Sequence, residues 1–258
     1  MQRWKLIIEY CGAGYAGWQR QAQGVPSTQQ AIEDAIFAFC QQRITIQAAG
    51  RTDTGVHARG QVAHFDLDYG TRSLSEHDLL MALNAHLRPQ PIAILSAEKV
   101  TEEFHARFGA TNKLYCYRIL NRNAPAAIED GRVWFVRRKL DVDLMREGAK
   151  HLLGRHDFTT YRSTDCQAKS PIRTLDRLDI EVMPYDEQGG REIRFYVEGK
   201  SFLHHQVRNM VGTLELVGAG KWMPDDVKTA LEACDRTKGG PTCVPDGLYL
   251  MRVDYDLK

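Results

Sequence analysis

The sequence predicts an α+β protein built from two halves of similar outline. Two observations carry that prediction. Extended and helical patterning alternates through the first hundred residues in the order β-α-β-β-α-β, the split βαβ arrangement of ferredoxin-like folds. The remaining residues follow the same outline more loosely, without the identity that would prove a duplication. The halves are placed at 1–108 and 109–258.

Trp4, Leu6, Ile8 and Tyr10 alternate with Lys5, Ile7 and Glu9, which is strand periodicity with one apolar face. Cys11 to Gln21 follows with glycines at 12, 14 and 17. A phosphate-cradling loop would need a helix directly after it and a Lys-Ser/Thr end, and neither is present. Ser27 with Gln30 resembles a capping box, and Ile32, Ala35, Ile36 and Phe39 then line one face of a helix over about 28–41. Strands are expected at Ile44–Ile46 and Gln61–Asp66, with a long loop between them. Ser75 caps a second helix carrying Leu79, Leu80, Leu83 and Leu87, which Pro89 and Pro91 end, and Ile92–Leu95 starts another strand.

The second half reads as strands at Leu114–Leu120 and Val133–Val136, a helical stripe from Val142 to Leu153, and strands near Leu178–Met183 and Ile193–Val197. A helix from about Phe202 carries Leu203, Val207, Met210, Val211 and Leu214 inward, with Arg208 and Asn209 off that stripe. A short helix after Pro224 and a last strand, Leu248–Val253, complete it.

Hydrophobic content of 43% and charged content of 26% are those of an ordinary globular protein. No apolar run reaches the length of a bilayer span and the first residues lead into a strand rather than a signal peptide, so a cytoplasmic protein is expected. Six scattered cysteines lack zinc or redox spacing and read as reduced, mostly buried thiols. A net charge of +1 gives no global nucleic-acid signal, but His105 to Ala126 holds Arg107, Lys113, Arg118 and Arg122 and no acid.

Gly50-Arg51-Thr52-Asp53-Thr54-Gly55-Val56-His57-Ala58 is the stretch that stands out, a carboxylate between a cation and two glycines. Asp53 either caps its own turn or does chemistry, and spacing alone leaves both open. Arg51 can hold that carboxylate ionised or sit in solvent. His57, His64 and Asp66 form only a loose metal pattern with no further ligands. Tyr115 and Tyr117 share a strand face, as core aromatics or as a platform for an unstacked base. The polar residues of Ser201–Met210 punctuate an otherwise apolar helix and suggest that one edge faces a cleft.

These blocks resemble the TruA family of tRNA pseudouridine synthases over nearly the whole chain. The resemblance rests on Tyr15–Gln21, Gly50–Ala58, Phe104–Arg107, Lys113–Tyr117 and Phe202–Leu214, in the family's order. It implies isomerisation of uridine to pseudouridine at positions 38, 39 and 40 of the tRNA anticodon stem-loop, without metal or cofactor. It also implies two ferredoxin-like halves meeting at a central cleft, in a homodimer that shares each tRNA. The family's catalytic aspartate falls on Asp53, its stacking tyrosine on Tyr115 in preference to Tyr117, and the arginine accompanying the aspartate on Arg208. Arg51 then looks like an RNA contact. Asp53 would attack C1′ or C6, or act as base in a glycal route. The chain departs from the family at Thr54, where alanine is common, and in the proline placement of Pro241–Leu250. Two rival readings are a non-catalytic RNA-binding protein of RRM-like topology and a hydrolase using Asp53 and His57, with or without a metal.

Overall fold

The computed structural model describes residues 1–22, 24–70 and 73–256. The chain divides into two compact units, residues 1–111 joined by the stretch from Tyr249 on, and residues 112–248.

In the first unit β1 (Gln2–Tyr10) buries Trp4, Leu6, Ile8 and Tyr10, the four residues of its apolar face. It is followed by α1 (Thr28–Cys40), β2 (Gln47–Ala48), β3 (His57–Leu67), α2 (Glu76–Leu87) and β4 (Ile92–Val100). The β1 strand pairs antiparallel with both β3 and β4, and β2 lies antiparallel on β3, so the order β4-β1-β3-β2 is that of a ferredoxin-like sheet. Both helices start as the sequence predicts. The Ser27 hydroxyl accepts from the Gln30 N–H at 3.3 Å and the Ser75 hydroxyl from the Asp78 N–H at 3.1 Å.

The second unit contains β5 (Ala110–Asn121, its first two residues counted with the first unit), β6 (Trp134–Val136), α3 (Val142–Lys150), β7 (Gly154–Asp157), β8 (Ile172–Leu175), β9 (Arg177–Pro184) and β10 (Arg191–Gly199). Helices α4 (Gln206–Gly218) and α5 (Pro224–Glu232) follow. Its main sheet runs β6-β5-β10-β9, with β6 parallel to β5 and the other pairs antiparallel, while β7 and β8 make a separate two-stranded ribbon. At Gly148 α3 meets both neighbouring helices, because a Cβ there would stand 3.1 Å from Val227 Cγ2 and 3.3 Å from Leu214 Cδ2.

Four expectations are corrected. Ile44–Ile46 is not a strand. The Ile46 N–H donates to the buried Glu33 carboxylate at 3.1 Å, which Gln29 and Arg20 also hold, and pairing begins only at Gln47. The second helix of the C-terminal half starts at Gln206 rather than Phe202, because His205 stands in the left-handed region at φ 63°. The last strand, β11 (Leu248–Tyr255), clusters with the first unit from Tyr249 on, since Tyr249 and Leu250 pair parallel with His57 and Ala58 of β3. A Cβ at Gly60 would lie 2.4 Å from the Met251 carbonyl, so the two strands meet through a bare backbone. The cysteines are free, but of the six only Cys116 and Cys243 are buried.

Among the described residues no helix is long and apolar enough to cross a membrane.

Candidate active site

The loop that carries Asp53 is fastened on both sides by the first unit. Before it, Ala49 N–H donates to the Val62 carbonyl at 2.8 Å and Gln61 Nε2 to the Gly50 carbonyl at 2.8 Å. Thr52 is buried, its hydroxyl 2.7 Å from that of Tyr10 and its carbonyl accepting from Trp18 N–H at 3.0 Å. Burial pushes the Tyr10 phenol up to about 12, so this hydroxyl pair stays neutral. After Asp53 the chain turns, with Val56 N–H bonded to the Asp53 carbonyl at 3.1 Å and Gly55 at φ 79° in the third position. A type II turn requires that position to take positive φ, which explains the glycine.

The glycine-rich stretch after β1 does not cradle phosphate. It backs the Asp53 loop. A Cβ on Gly17 would stand 2.6 Å from the Thr52 carbonyl oxygen and 3.0 Å from the Asp53 carbonyl carbon, and one on Gly12 would stand 2.1 Å from the Val56 carbonyl. Only bare backbone fits at that separation. Asp53 itself is half-buried, and Arg51 is exposed, its guanidinium making no hydrogen bond or ion pair among the described residues.

His57 opens β3 and is buried. Its Nδ1 accepts from the Gly12 N–H at 3.0 Å and its ring stacks on Tyr249 at 4.7 Å, so it ties the glycine stretch, the loop and β11 together. His64 lies seven residues along the same strand, roughly 20 Å away, and its Nδ1 accepts from Ala106 N–H at 3.2 Å. Asp66 is bound twice by the Arg3 guanidinium, at 2.7 and 2.8 Å. The three residues of the loose metal pattern therefore serve three separate structural contacts.

In the second unit the two tyrosines of β5 part company. Tyr117 is fully buried, donating to the Val244 carbonyl at 2.7 Å with its ring edge-on to Trp134, and burial holds its phenol well above the usual tyrosine range. Tyr115 is buried less completely and meets Phe202 edge-on at 5.1 Å. Phe202 belongs to the segment entering α4, where the Gln206 side chain accepts from Leu203 N–H at 2.8 Å and Ser163 N–H bonds the His204 carbonyl at 2.8 Å.

The backbone of Cys243 meets Arg208 twice. The Arg208 Nε donates to the Cys243 carbonyl at 2.8 Å, and the Arg208 carbonyl accepts from Cys243 N–H at 3.4 Å. Asn209, expected off the buried stripe, is fully buried. Its Nδ2 donates to the Tyr161 carbonyl at 2.8 Å, while its Oδ1 accepts from Thr242 at 2.6 Å and Arg236 at 3.2 Å. The segment 236–243 covers that flank of α4, approaching so closely that a Cβ at Gly212 would lie 1.9 Å from the Pro241 carbonyl. Sequence reasoning missed both this segment and the backing role of Gly12 and Gly17. The three clustered glycines were the available signal for the second, and no local pattern announces the first.

Two cations of the locally basic window are paired with carboxylates. Arg118 is bonded to Glu192 at 2.7 Å and Glu129 at 3.0 Å, and Arg122 to Asp186 at 2.9 Å.

Over residues 6–109 and 149–256 the sequence matches the tRNA pseudouridine synthase family. Those stretches hold the whole Asp53 loop and all of α4, and Tyr115 falls between them. The class of protein is thereby fixed as a pseudouridine synthase, an isomerase with an α+β fold. More particularly, the chain belongs to the tRNA pseudouridine synthase family. A relative named tRNA pseudouridine synthase A from Dinoroseobacter shibae is 57% identical over 257 residues, covering 99% of this chain and 97% of its own. Proteins of the same name from Cereibacter sphaeroides and Rhodospirillum rubrum are 54% and 51% identical over 255 residues, covering 98% and 88% of their own lengths and 99% of this chain. A crystal structure of an unknown protein from Galdieria sulphuraria aligns with 76% of this chain and 80% of its own at 11% identity, and at a TM-score of 0.21 it bears on nothing further.

Proposed function

We propose that this enzyme isomerises uridine to pseudouridine at positions 38, 39 and 40 of the tRNA anticodon stem-loop, with Asp53 as the catalytic group. The observation that carries this reading is the loop itself. Its aspartate is held between Thr52, bonded to Tyr10 and Trp18, and a glycine turn, so the carboxylate is presented by a rigid backbone rather than by a mobile turn.

The reaction breaks the C1′–N1 bond, rotates the ring and joins C1′ to C5, with N1 gaining a proton and C5 losing one. One well-placed carboxylate and a stacking wall suffice. Asp53 serves as nucleophile at C1′ or C6, or as base in a glycal route. Tyr115 stacks on the extruded base, Arg208 keeps the carboxylate charged, and Arg51, exposed and without a protein partner among the described residues, contacts the RNA. Extruding the base costs roughly a few kcal/mol, which stacking and phosphate contacts offset. The enzyme acts in the cytoplasm as a homodimer, without metal or cofactor.

The hydrolase reading is disfavoured by His57, whose buried ring is committed to Gly12 and Tyr249. The test is tritium release from C5-labelled uridine in tRNA transcripts. Asp53→Asn is expected to abolish release while leaving tRNA binding within about threefold, a change worth less than ~1 kcal/mol. Full release by that variant would overturn the assignment. Transcripts lacking uridine at 38 to 40 are expected to release no tritium.

A further inference from the structure

We propose that the outer edge of the second unit's main sheet, Trp134 to Lys139, is a docking site for the phosphodiester backbone of the RNA substrate. An open groove of about 610 Å³ lies there, lined by Trp134, Phe135, Arg137, Arg138, Lys139 and, from α4, Glu215. Arg137, Arg138 and Lys139 are all exposed, and Trp134 and Phe135 are half-exposed.

A run of three cations is by itself an ordinary solvated surface, but two features set this one apart. The first is its rigidity. Buried Asn121 holds the run from beneath, its Nδ2 donating to the carbonyls of Val136 at 2.8 Å and Arg138 at 2.6 Å and its Oδ1 accepting from Leu140 N–H at 3.4 Å. Arg191 closes the same knot, donating to Asn121 Oδ1 at 2.9 Å and to the Leu140 carbonyl at 2.5 Å. The backbone beneath the cations is therefore fixed before any ligand arrives, which lowers the ordering cost of binding.

The second feature is the lack of counter-charge. On the neighbouring strand Arg118 and, just past its end, Arg122 are each bonded to carboxylates, whereas Arg137, Arg138 and Lys139 make no ion pair among the described residues. Three cations face one carboxylate, Glu215, in a groove that Trp134 and Phe135 also line. That combination suits a polyanion with exposed bases, and backbone phosphates supply the charge that the protein leaves unmet. The inference rests on tRNA being the substrate, and it adds a contact that the Asp53 chemistry does not require.

The test is binding of an unmodified tRNA transcript by the full-length protein across a salt series, with steady-state tritium release measured in parallel. The variants are the triple Arg137→Ala, Arg138→Ala, Lys139→Ala and the single Glu215→Gln. Each phosphate contact contributes about 0.7 to 0.9 to the slope of log K against log salt, so the triple variant, with three contacts removed, is expected to lose roughly 2 to 3 of that slope. Its KM for tRNA is expected to rise on the order of 10- to 100-fold at low salt with kcat at saturation unchanged. Glu215→Gln should tighten binding, an opposite sign that misfolding does not produce. An unchanged slope and KM in the triple variant would overturn the proposal, as would an altered oligomeric state by sedimentation with RNA binding intact. Absence of tritium release from the wild-type protein would instead defeat the functional reading, and the salt slope would still report on the groove.

Discussion

At the scale of single residues, backbone clearance and burial decide most of what the Asp53 loop needs. Gly14 and Gly17 both have positive φ, 84° and 88°, but a Cβ on Gly14 would meet nothing within 4 Å, whereas one on Gly17 would strike the Thr52 carbonyl at 2.6 Å. Gly14→Ala should therefore cost only the strain of a left-handed alanine, about 1 kcal/mol. Gly17→Ala should cost on the order of 3 kcal/mol and also depress kcat, because the displaced atoms belong to Thr52 and Asp53. Urea unfolding and tritium release on the two variants check this, and equal losses would mean that the stretch does not back the loop. His64 supplies a pH signature. Burial lowers its pKa to about 4 from the ordinary 6.5, with nearby His105 and Arg3 acting in the same direction and Asp66 in the other. A depressed imidazole binds its proton more readily in the unfolded chain, so stability is complete above about pH 6.5 and declines as pH falls toward 4, by at most about 3 kcal/mol. Thermal midpoints across that range should fall less steeply for His64→Gln, whose amide oxygen can still accept from Ala106.

At the scale of elements, what the sequence made legible was whatever is coded by local periodicity. The β1 alternation and both serine caps read correctly because neighbouring residues carry the whole signal. The β7 and β8 strands were missed because Arg155 and Ile172 are exposed and the segments show no clean alternation to read. The start of α4 was misplaced by the apolar Phe202 and Leu203, which fit a helical stripe although His205 breaks the backbone after them. Of the site, Asp53 was legible as an unusual acid between glycines, but its weight over the turn-capping alternative came from the distant blocks. Asn209 was misread because its partners, Tyr161, Arg236 and Thr242, lie 27 or more residues away in sequence. Asn209→Ala should leave those polar groups unmet and cost about 2–3 kcal/mol, read as a lowered urea midpoint with unchanged m value. Because Arg208 is clamped by Cys243 in the same segment, that variant is also expected to lower kcat more than it raises KM.

At the scale of the whole molecule, the first unit is completed by residues from the far end of the chain. Tyr249 stacks on His57, the Met251 carbonyl lies against Gly60, and the Tyr255 hydroxyl donates to the Ala106 carbonyl at 2.7 Å. Ending the chain after Leu248 is therefore expected to lower the stability of the N-terminal unit rather than that of residues 112–248, read by hydrogen exchange of β1 and β3 amides. Tyr255→Phe removes one hydrogen bond from the same set and should cost about 1 kcal/mol by thermal melting. Equal exchange in the truncated and full chains would show that β11 is dispensable there.

That arrangement also has a consequence in time. Residues 112–248, 137 positions in all, separate the two parts of the first unit. At a synthesis rate of about 5–20 residues per second, the ribosome needs roughly 7 to 27 s to make them. Throughout that interval the Asp53 loop exists without Tyr249 beneath His57, and the β3 edge at His57 and Ala58 stays open. The candidate active site is thus among the first parts of the protein to be translated and among the last to be finished.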